Sequence, residues 1–111
     1  MMATYFCRWL VAFAVTQAVE VPIYRGVGGL SWTHSFAMSW VTHPIVWYVI
    51  APLCQALHTS ELTMFCVAEG MAWSVEAWLA HRLGITWVRA VLVALLANAS
   101  SVLVGLWLNV G

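Results

Sequence analysis

Apolar residues form four long runs along the chain, and shorter stretches rich in polar residues and glycine separate these runs. Each run approaches the roughly 20 residues that an α-helix needs to cross the hydrocarbon core of a bilayer. The pattern predicts four transmembrane helices, over about residues 5–23, 38–57, 62–80 and 87–108. Because the later connections are short, consecutive helices are expected to be antiparallel neighbours. The predicted fold is all-α, an integral-membrane four-helix bundle with a single domain over residues 1–111.

Turn and capping signals set the limits of the predicted helices. Glycines follow the first run, and residues 25–37 are predicted to form an interfacial loop because Trp32 favours the headgroup level. Thr59 or Ser60 is expected to cap the third helix, and Thr86 is expected to cap the fourth. The first connection should therefore be the long one.

Two prolines fall within the second run. Pro44 is expected in the first turn of its helix, where the missing N–H costs nothing. Pro52 is expected inside the helix, where it should produce a kink and free a backbone carbonyl. A neighbouring helix would then have to supply a hydrogen-bond donor for that carbonyl.

The composition excludes an ordinary soluble domain. Hydrophobic residues make up 64% of the chain and charged residues 7%, against about 25% charged residues in typical globular proteins. The formal net charge is zero and no basic run occurs, so nucleic acid is not an expected partner. The expected surroundings are a lipid bilayer.

The arginines are unequally distributed between the two ends of the predicted bundle. Arg25, Arg82 and Arg89 flank the first and third connections, and Arg8 stands alone at the opposite end. Positive residues are retained on the cytoplasmic side of a membrane. The first and third connections are therefore predicted to face the cytoplasm.

Three ionisable residues from three different helices are predicted at one depth. Residue counts place Glu20, His43 and Glu76 about 7 to 9 Å from the middle of their helices, toward the same face of the membrane. Gln17 lies one turn from Glu20 and would border this layer. A charged group deep in a bilayer costs at least about 2.5 kcal/mol, so each of these residues requires a partner or a function.

A second polar group is predicted between the third and fourth helices. Asn98, Ser101 and Gly105 share one stripe of the fourth helix, and small or hydrogen-bonding residues allow membrane helices to approach closely. In an antiparallel hairpin, Ser101 comes nearly level with Glu69 and Asn98 lies about one turn away. Glu69 is therefore predicted to hydrogen-bond to Asn98 or Ser101.

Two interpretations of these polar residues stay open. In one, Glu20, His43 and Glu76 bind a proton or a hard or borderline cation within the membrane. In the other, the polar residues are interhelical contacts that specify packing, with Glu69 protonated and Glu76 paired with Arg89. No spacing motif assigns a metal site, and no cofactor is predicted.

No recognisable motif predicts an enzyme. Ser101 lacks the Gly-x-Ser-x-Gly context of a nucleophile elbow, and the chain contains no aspartate to orient a histidine base. Cys7 and Cys66 have no histidine at helical spacing that would activate a thiolate, and Cys54, four residues before His58, lies in an apolar run. His43 is the sole histidine within a predicted span, so a haem or pigment-binding subunit is kept as a second alternative.

Part of the chain resembles a set of small uncharacterised bacterial multi-pass integral membrane proteins. The likeness covers about residues 40–111 and rests on three features. These are the acidic pair Glu69-Gly-Met-Ala-Trp-Ser-Val-Glu76, the run Ala97-Asn98-Ala-Ser-Ser101-Val-Leu-Val-Gly105, and Thr42-His43-Pro44, where those proteins often have Thr-Asn-Pro. The resemblance implies a bacterial inner-membrane location, and it implies that the acidic pair and the polar stripe belong together.

The function that we predict is that of a small accessory subunit of a membrane complex, with a polar interhelical seam for a proton or cation. The runner-up is an autonomous ion or metal transporter built as an oligomer. Four helices form a thin bundle for a complete transport path. A homo-oligomer or a larger membrane-protein partner is therefore expected.

Overall fold

The computed structural model describes residues 2–109, and the chain is helical along almost all of this length. Its helices are α1 (Met2–Gly26), α2 (Trp32–Ala56), α3 (Glu61–Arg82) and α4 (Trp87–Leu108). They form a bundle that measures 39 × 24 × 22 Å. The prediction of an all-α fold with four long helices is confirmed.

Three of these helices, α1, α2 and α4, are long and apolar enough to cross a membrane. The α3 helix is as long as α4, with 22 residues. However, Glu69 and Glu76 lower its mean hydropathy, and α3 is not among these three candidates. By length and hydropathy, three of the four predicted membrane spans are therefore candidates to cross a membrane.

The helices pack in a ring in the order of the chain. The α1 helix packs against α2 and α4, and α3 packs against α2 and α4 as well. The α3 and α4 helices meet through small side chains, since their buried apolar residues are mostly alanines. Such residues let helix backbones approach closely. The ring leaves a central space toward which all four helices turn one face.

The first connection is much shorter than predicted, and the prediction of an interfacial loop over residues 25–37 is wrong. The α2 helix already begins at Trp32, because the Ser31 hydroxyl caps it by accepting from the His34 N–H at 3.1 Å. A cap of this kind satisfies an otherwise unpaired first-turn donor. Leu30, expected at the membrane surface, is instead part of the buried core.

Gly28 explains how so short a connection closes. A side chain at this position would place its Cβ 2.5 Å from the Tyr24 carbonyl oxygen. The Leu30 N–H donates to that same carbonyl at 3.1 Å. Gly28 therefore permits a close backbone approach that no other residue could make without a shift of the chain.

The region between the two prolines of α2 adopts a wider turn. Residues Val46–Ile50 form a π-helical turn, in which the Ala51 N–H donates to the Val46 carbonyl five residues earlier. In this pattern the Trp47 carbonyl would need the N–H of Pro52, which does not exist. The Tyr5 hydroxyl of α1 donates to the Trp47 carbonyl instead. The expected repair by a neighbouring helix is therefore observed.

The prediction that Pro44 lies in the first turn of its helix is wrong, because α2 begins twelve residues earlier, at Trp32. The other helix starts agree better with the sequence. Ser60 caps α3 by accepting from the Thr63 N–H at 3.1 Å. Thr86 occupies the cap position of α4 but forms no side-chain cap bond.

Candidate functional site

The polar side chains of α1 and α2 follow single helical stripes that turn into the bundle. On α1, Glu20 and Tyr24 are four residues apart and both are buried. On α2, Ser35, Ser39 and Thr42 are buried at spacings of four and three. These spacings place the side chains of each helix on one face. The two faces meet the α3 and α4 faces in the central space.

Glu20 is the α1 carboxyl of this space and is 2% exposed. One carboxyl oxygen, Oε1, accepts a hydrogen bond from the Ser39 hydroxyl of α2 at 2.8 Å. The other, Oε2, accepts from the Ser101 hydroxyl of α4 at 2.7 Å. Glu20 therefore ties three helices together.

Glu76 is the α3 carboxyl, and it is 1% exposed. Its Oε1 accepts from the Tyr24 hydroxyl at 2.5 Å and from the Asn98 amide at 3.2 Å. Its Oε2 accepts from the Thr42 hydroxyl at 2.6 Å. Glu76 thus receives one donor from each of the other three helices.

These residues form one connected set, which we call the carboxyl network: Tyr24, Glu20, Ser39, Thr42, Glu76, Asn98 and Ser101. The Ser101 hydroxyl, which donates to Glu20, also lies 3.1 Å from the carbonyl oxygen of Asn98, whose amide donates to Glu76, so the surroundings of the two carboxyls are linked. Within residues 2–109, neither carboxyl accepts a hydrogen bond from an arginine or a histidine. Two buried carboxylates in one network without a bonded cation would repel each other, so the arrangement is suited to a state in which at least one carboxyl is protonated.

The network contains two of the three residues predicted to form a centre. It brings Glu20 and Glu76 together, but His43 is not part of it. The preceding residue, Thr42, takes that place, because successive helical residues are turned about 100° from each other. The residue count gave a correct height for His43 but assigned it to the wrong face of α2.

His43 lies in an aromatic cluster between α1 and α2. Its ring centroid is 5.3 Å from that of Phe13, 6.4 Å from Trp9 and 6.2 Å from Trp47. The Nε2 atom is 3.3 Å from the Thr16 hydroxyl. The Nδ1 atom is buried without a hydrogen-bond partner in the described part of the chain.

Gln17 borders the network in sequence without bonding to it. Its side-chain amide donates to the Phe36 carbonyl of α2 at 3.2 Å. Its carbonyl oxygen is buried and unpaired among the described residues. Gln17 therefore joins α1 to the backbone of α2 rather than extending the pair of carboxyls.

The predicted pairing of Arg89 with Glu76 is wrong. Arg89 Nη2 donates to the Val27 carbonyl at 2.8 Å, so the side chain extends to the end of the bundle. There it joins the α1–α2 connection to the start of α4. A guanidinium at the bundle end keeps contact with its surroundings, whereas the central space would remove it from water at a high cost.

The predicted bonds from Glu69 to Asn98 or Ser101 are also wrong. Asn98 bonds to Glu76, and Ser101 bonds to Glu20. Side chains point toward the N-terminus of their own helix. In the antiparallel α3–α4 pair, Asn98 and Glu76 therefore converge, whereas Asn98 and Glu69 diverge. Glu69 instead lies half-buried in a groove between α3 and α4.

Gly105, the last member of the predicted stripe, lies apart from the network. It lines a cavity of about 530 Å³ between the start of α1 and the end of α4. Arg8 and Asn109 line the same cavity. Gly105 therefore belongs to the bundle end opposite the short α1–α2 connection.

Sequence reasoning missed three of the donors, Tyr24, Ser39 and Thr42. Tyr24 lies one residue beyond the predicted end of the first helix, although its spacing of four from Glu20 places both on one face. Ser39 and Thr42 share a stripe with Ser35, which helical periodicity could have revealed. That stripe was obscured because the start of α2 was predicted too late.

Among residues 2–109, no group of three or more histidine, cysteine, aspartate or glutamate side chains is placed to hold a metal ion. The cysteines are free, with Cys7 and Cys66 exposed and Cys54 buried. The chemistry available at the network is thus that of two carboxyls surrounded by hydroxyl and amide donors.

Comparison with protein-family models, with curated proteins and with solved structures finds no match for this chain. The resemblance to small bacterial membrane proteins therefore stays a prediction. The function has to be argued from the fold and the carboxyl network.

Proposed function

We propose that the chain is a small multi-pass membrane protein, an accessory subunit of a membrane complex, whose carboxyl network holds the bundle together and retains a proton. The observation that carries this proposal is the distribution of polar and apolar side chains. The outer surface carries large apolar residues, such as Trp107 at 82% and Leu62 at 71% exposure, while Glu20 and Glu76 are buried. Water would disfavour such a surface, and lipid would accept it.

The α3 helix is proposed to cross the membrane with the other three despite its glutamates. Glu76 is enclosed by the bundle, and Glu61 lies in the first turn of α3, at the helix end. A buried carboxyl with hydrogen-bond donors from three other helices avoids the cost of facing lipid. The mean hydropathy of α3 alone therefore underestimates the ability of this helix to cross a membrane as part of the bundle.

The network is better suited to joining the helices than to passing protons along. All four carboxyl oxygens accept bonds from protein donors. Both carboxyls are also buried from the outer surface. A group that exchanges ions rapidly would need a route to water. These features favour an assembly role, in which the network fixes which helix faces which.

Membrane insertion is tested by expressing the full chain and washing the membranes with alkaline carbonate. Retention in the pellet, with release by detergent, is the expected result. Reporter fusions at the C-terminus test the orientation, in which the end with Arg25, Arg82 and Arg89 faces the cytoplasm. Release of the chain by carbonate alone would contradict the proposal.

The role of the network is tested in proteoliposomes with two variants. Glu76→Gln keeps hydrogen-bonding capacity, so we expect normal yield and no change in proton or cation movement. Asn98→Leu removes a donor and adds bulk against Glu76, so we expect a lower yield of folded protein. A proton or cation flux that the unaltered chain supports and Glu76→Gln abolishes would contradict the assembly role.

One observation favours the runner-up, an oligomeric ion or metal transporter. Glu20 and Glu76 lie together without a basic side chain bonded to either one in the described part of the chain. A carboxyl pair of this kind could accept a hard cation in place of a proton. The flux measurement described above distinguishes the two functions. The haem or pigment alternative gains no support, because aromatic rings pack around His43.

A further inference from the structure

The groove that contains Glu69 is the feature of the molecule that the carboxyl network does not explain. It lies between α3 and α4, has a volume of about 350 Å³ and is lined almost entirely by apolar atoms. Phe65 and Leu103 on its sides are exposed. Glu69 is the one ionisable side chain among its lining residues.

Glu69 has no hydrogen-bond partner within residues 2–109, in contrast to Glu76. It lies about 4 Å from the middle of α3, a depth at which a bilayer supplies no water. An unsatisfied polar group in hydrocarbon costs several kcal/mol. The occupant of the groove must therefore bring a hydrogen-bonding group to this depth.

We propose that the occupant is a second copy of this chain, so that the α3–α4 groove is a homodimer interface in which two Glu69 carboxyls pair. This inference rests on the proposed membrane location. A two-fold axis along the membrane normal brings the same surface of both copies together and places identical residues at identical depth. A neutral carboxyl both donates and accepts, so two Glu69 side chains satisfy each other.

The groove also allows the backbones to approach. A Cβ at Gly70 would have no heavy atom within 4 Å, so the space beside this residue is open. Ala99 on the α4 side is small and exposed. Small residues at a membrane interface let helices pack closely around a polar contact.

Oxidative crosslinking of single-cysteine variants in vesicles tests the interface. The three native cysteines are replaced by serine, and Gly70→Cys places a thiol in the groove. Val11→Cys is the matched control, because Val11 is exposed on α1 and lies at nearly the same depth as Glu69. We expect a disulfide-linked dimer with Gly70→Cys at several times the yield of Val11→Cys. Equal yields would overturn the proposal.

The role of Glu69 is tested by the dimer dissociation constant in detergent micelles, measured by energy transfer between labelled copies. Glu69→Leu removes the polar pair and should weaken dimerisation about tenfold or more. Glu69→Gln should retain the dimer, since paired amides also donate and accept. An unchanged dissociation constant in Glu69→Leu would refute the carboxyl pairing.

The outcomes separate this inference from the proposed function. A chain that stays in carbonate-washed membranes as a monomer contradicts the dimer and leaves the membrane proposal intact. A chain that carbonate releases contradicts the membrane proposal first. A groove occupied by a lipid tail or by a different subunit would give the monomer result in purified vesicles, which counts against the second copy.

Discussion

Glu69 and Glu76 are both glutamates and lie two turns apart on α3, yet their surroundings differ completely. Glu76 is enclosed by the bundle and accepts hydrogen bonds from Tyr24, Thr42 and Asn98. Glu69 lies in an apolar groove without a partner in the described part of the chain. Seven residues turn a helix through almost two full rotations, so rotation about the α3 axis alone does not explain the difference.

The difference depends on what the neighbouring helices present at each depth. Near Glu76 the inward faces of α1, α2 and α4 carry donors, whereas the α4 residues that line the groove with Glu69 are mostly apolar, such as Ala99 and Val102. An interhelical carboxyl stabilises a bundle in proportion to the donors directed at it. Glu76 should therefore contribute to the stability of the single chain, and Glu69 should contribute to association between chains.

The strongest test of this comparison is the pair of variants Glu76→Ala and Glu69→Ala. The first removes three hydrogen bonds and leaves their donors buried, so we expect the free energy of unfolding to fall by about 2 to 5 kcal/mol. The second removes no bond within the monomer, and we expect a change below about 0.5 kcal/mol. Unfolding by detergent titration, followed by tryptophan fluorescence at dilutions that keep the chain monomeric, measures both.

Equal losses in the two variants would break the comparison, since they would show that Glu69 is satisfied within the single chain. A small loss in Glu76→Ala would show that water or a rearranged side chain replaces the carboxyl. In either case the carboxyl network would not be the main polar contact of the bundle.

The residue types and depths of this network were predictable, because they follow from counting along helices. Glu20, Glu76, Asn98 and Ser101 were identified as buried polar residues from their positions in apolar runs. A charged residue in an apolar run is costly and therefore rare, so it can be recognised from the sequence. The height of each residue follows from a fixed rise per residue.

The partners of these residues were not predictable, because pairing depends on helix rotation and side-chain direction. His43 was assigned to the centre that Thr42 occupies, which is an error of one residue in face. Glu69 was paired with Asn98 on height alone, although their side chains diverge in an antiparallel pair. The start of α2 was missed because Leu30 and Ser31 looked like loop residues. The burial of Leu30 depends on tertiary contacts, whereas the Ser31 cap is a local contact of a kind that sequence can reveal.

A second test sharpens the comparison by removing one donor from Glu76. Tyr24→Phe deletes a hydroxyl that bonds to this carboxyl at 2.5 Å, and the ring keeps its buried position. We expect a loss of about 1 to 2 kcal/mol in the free energy of unfolding. The same variant combined with Glu76→Ala should lose less than the sum of the two, because the bond is already absent. Full additivity would indicate that Tyr24 acts through packing alone.

A third test uses a hydroxyl outside the network as a matched case. Tyr5→Phe removes the donor to the Trp47 carbonyl, which Pro52 cannot satisfy. We expect a loss of about 0.5 to 1 kcal/mol, measured by the same titration. This loss should be smaller than that of Tyr24→Phe, because Tyr5 bonds to a neutral backbone carbonyl and Tyr24 bonds to a carboxyl. The reverse order would mean that the repair of α2 matters more than the network.

The smallest effect is expected at His43, which lies at the depth of the network and outside it. His43→Phe replaces a ring with an unpaired, buried Nδ1 by an apolar ring that suits the surrounding aromatic side chains. The lost contact to Thr16 is long, at 3.3 Å. We therefore expect the free energy of unfolding to change by less than about 0.5 kcal/mol. A small increase in stability would also agree with this expectation. A loss as large as that of Tyr24→Phe would place His43 in a polar contact that matters, and depth in the bundle, rather than the donors around a residue, would then decide its contribution.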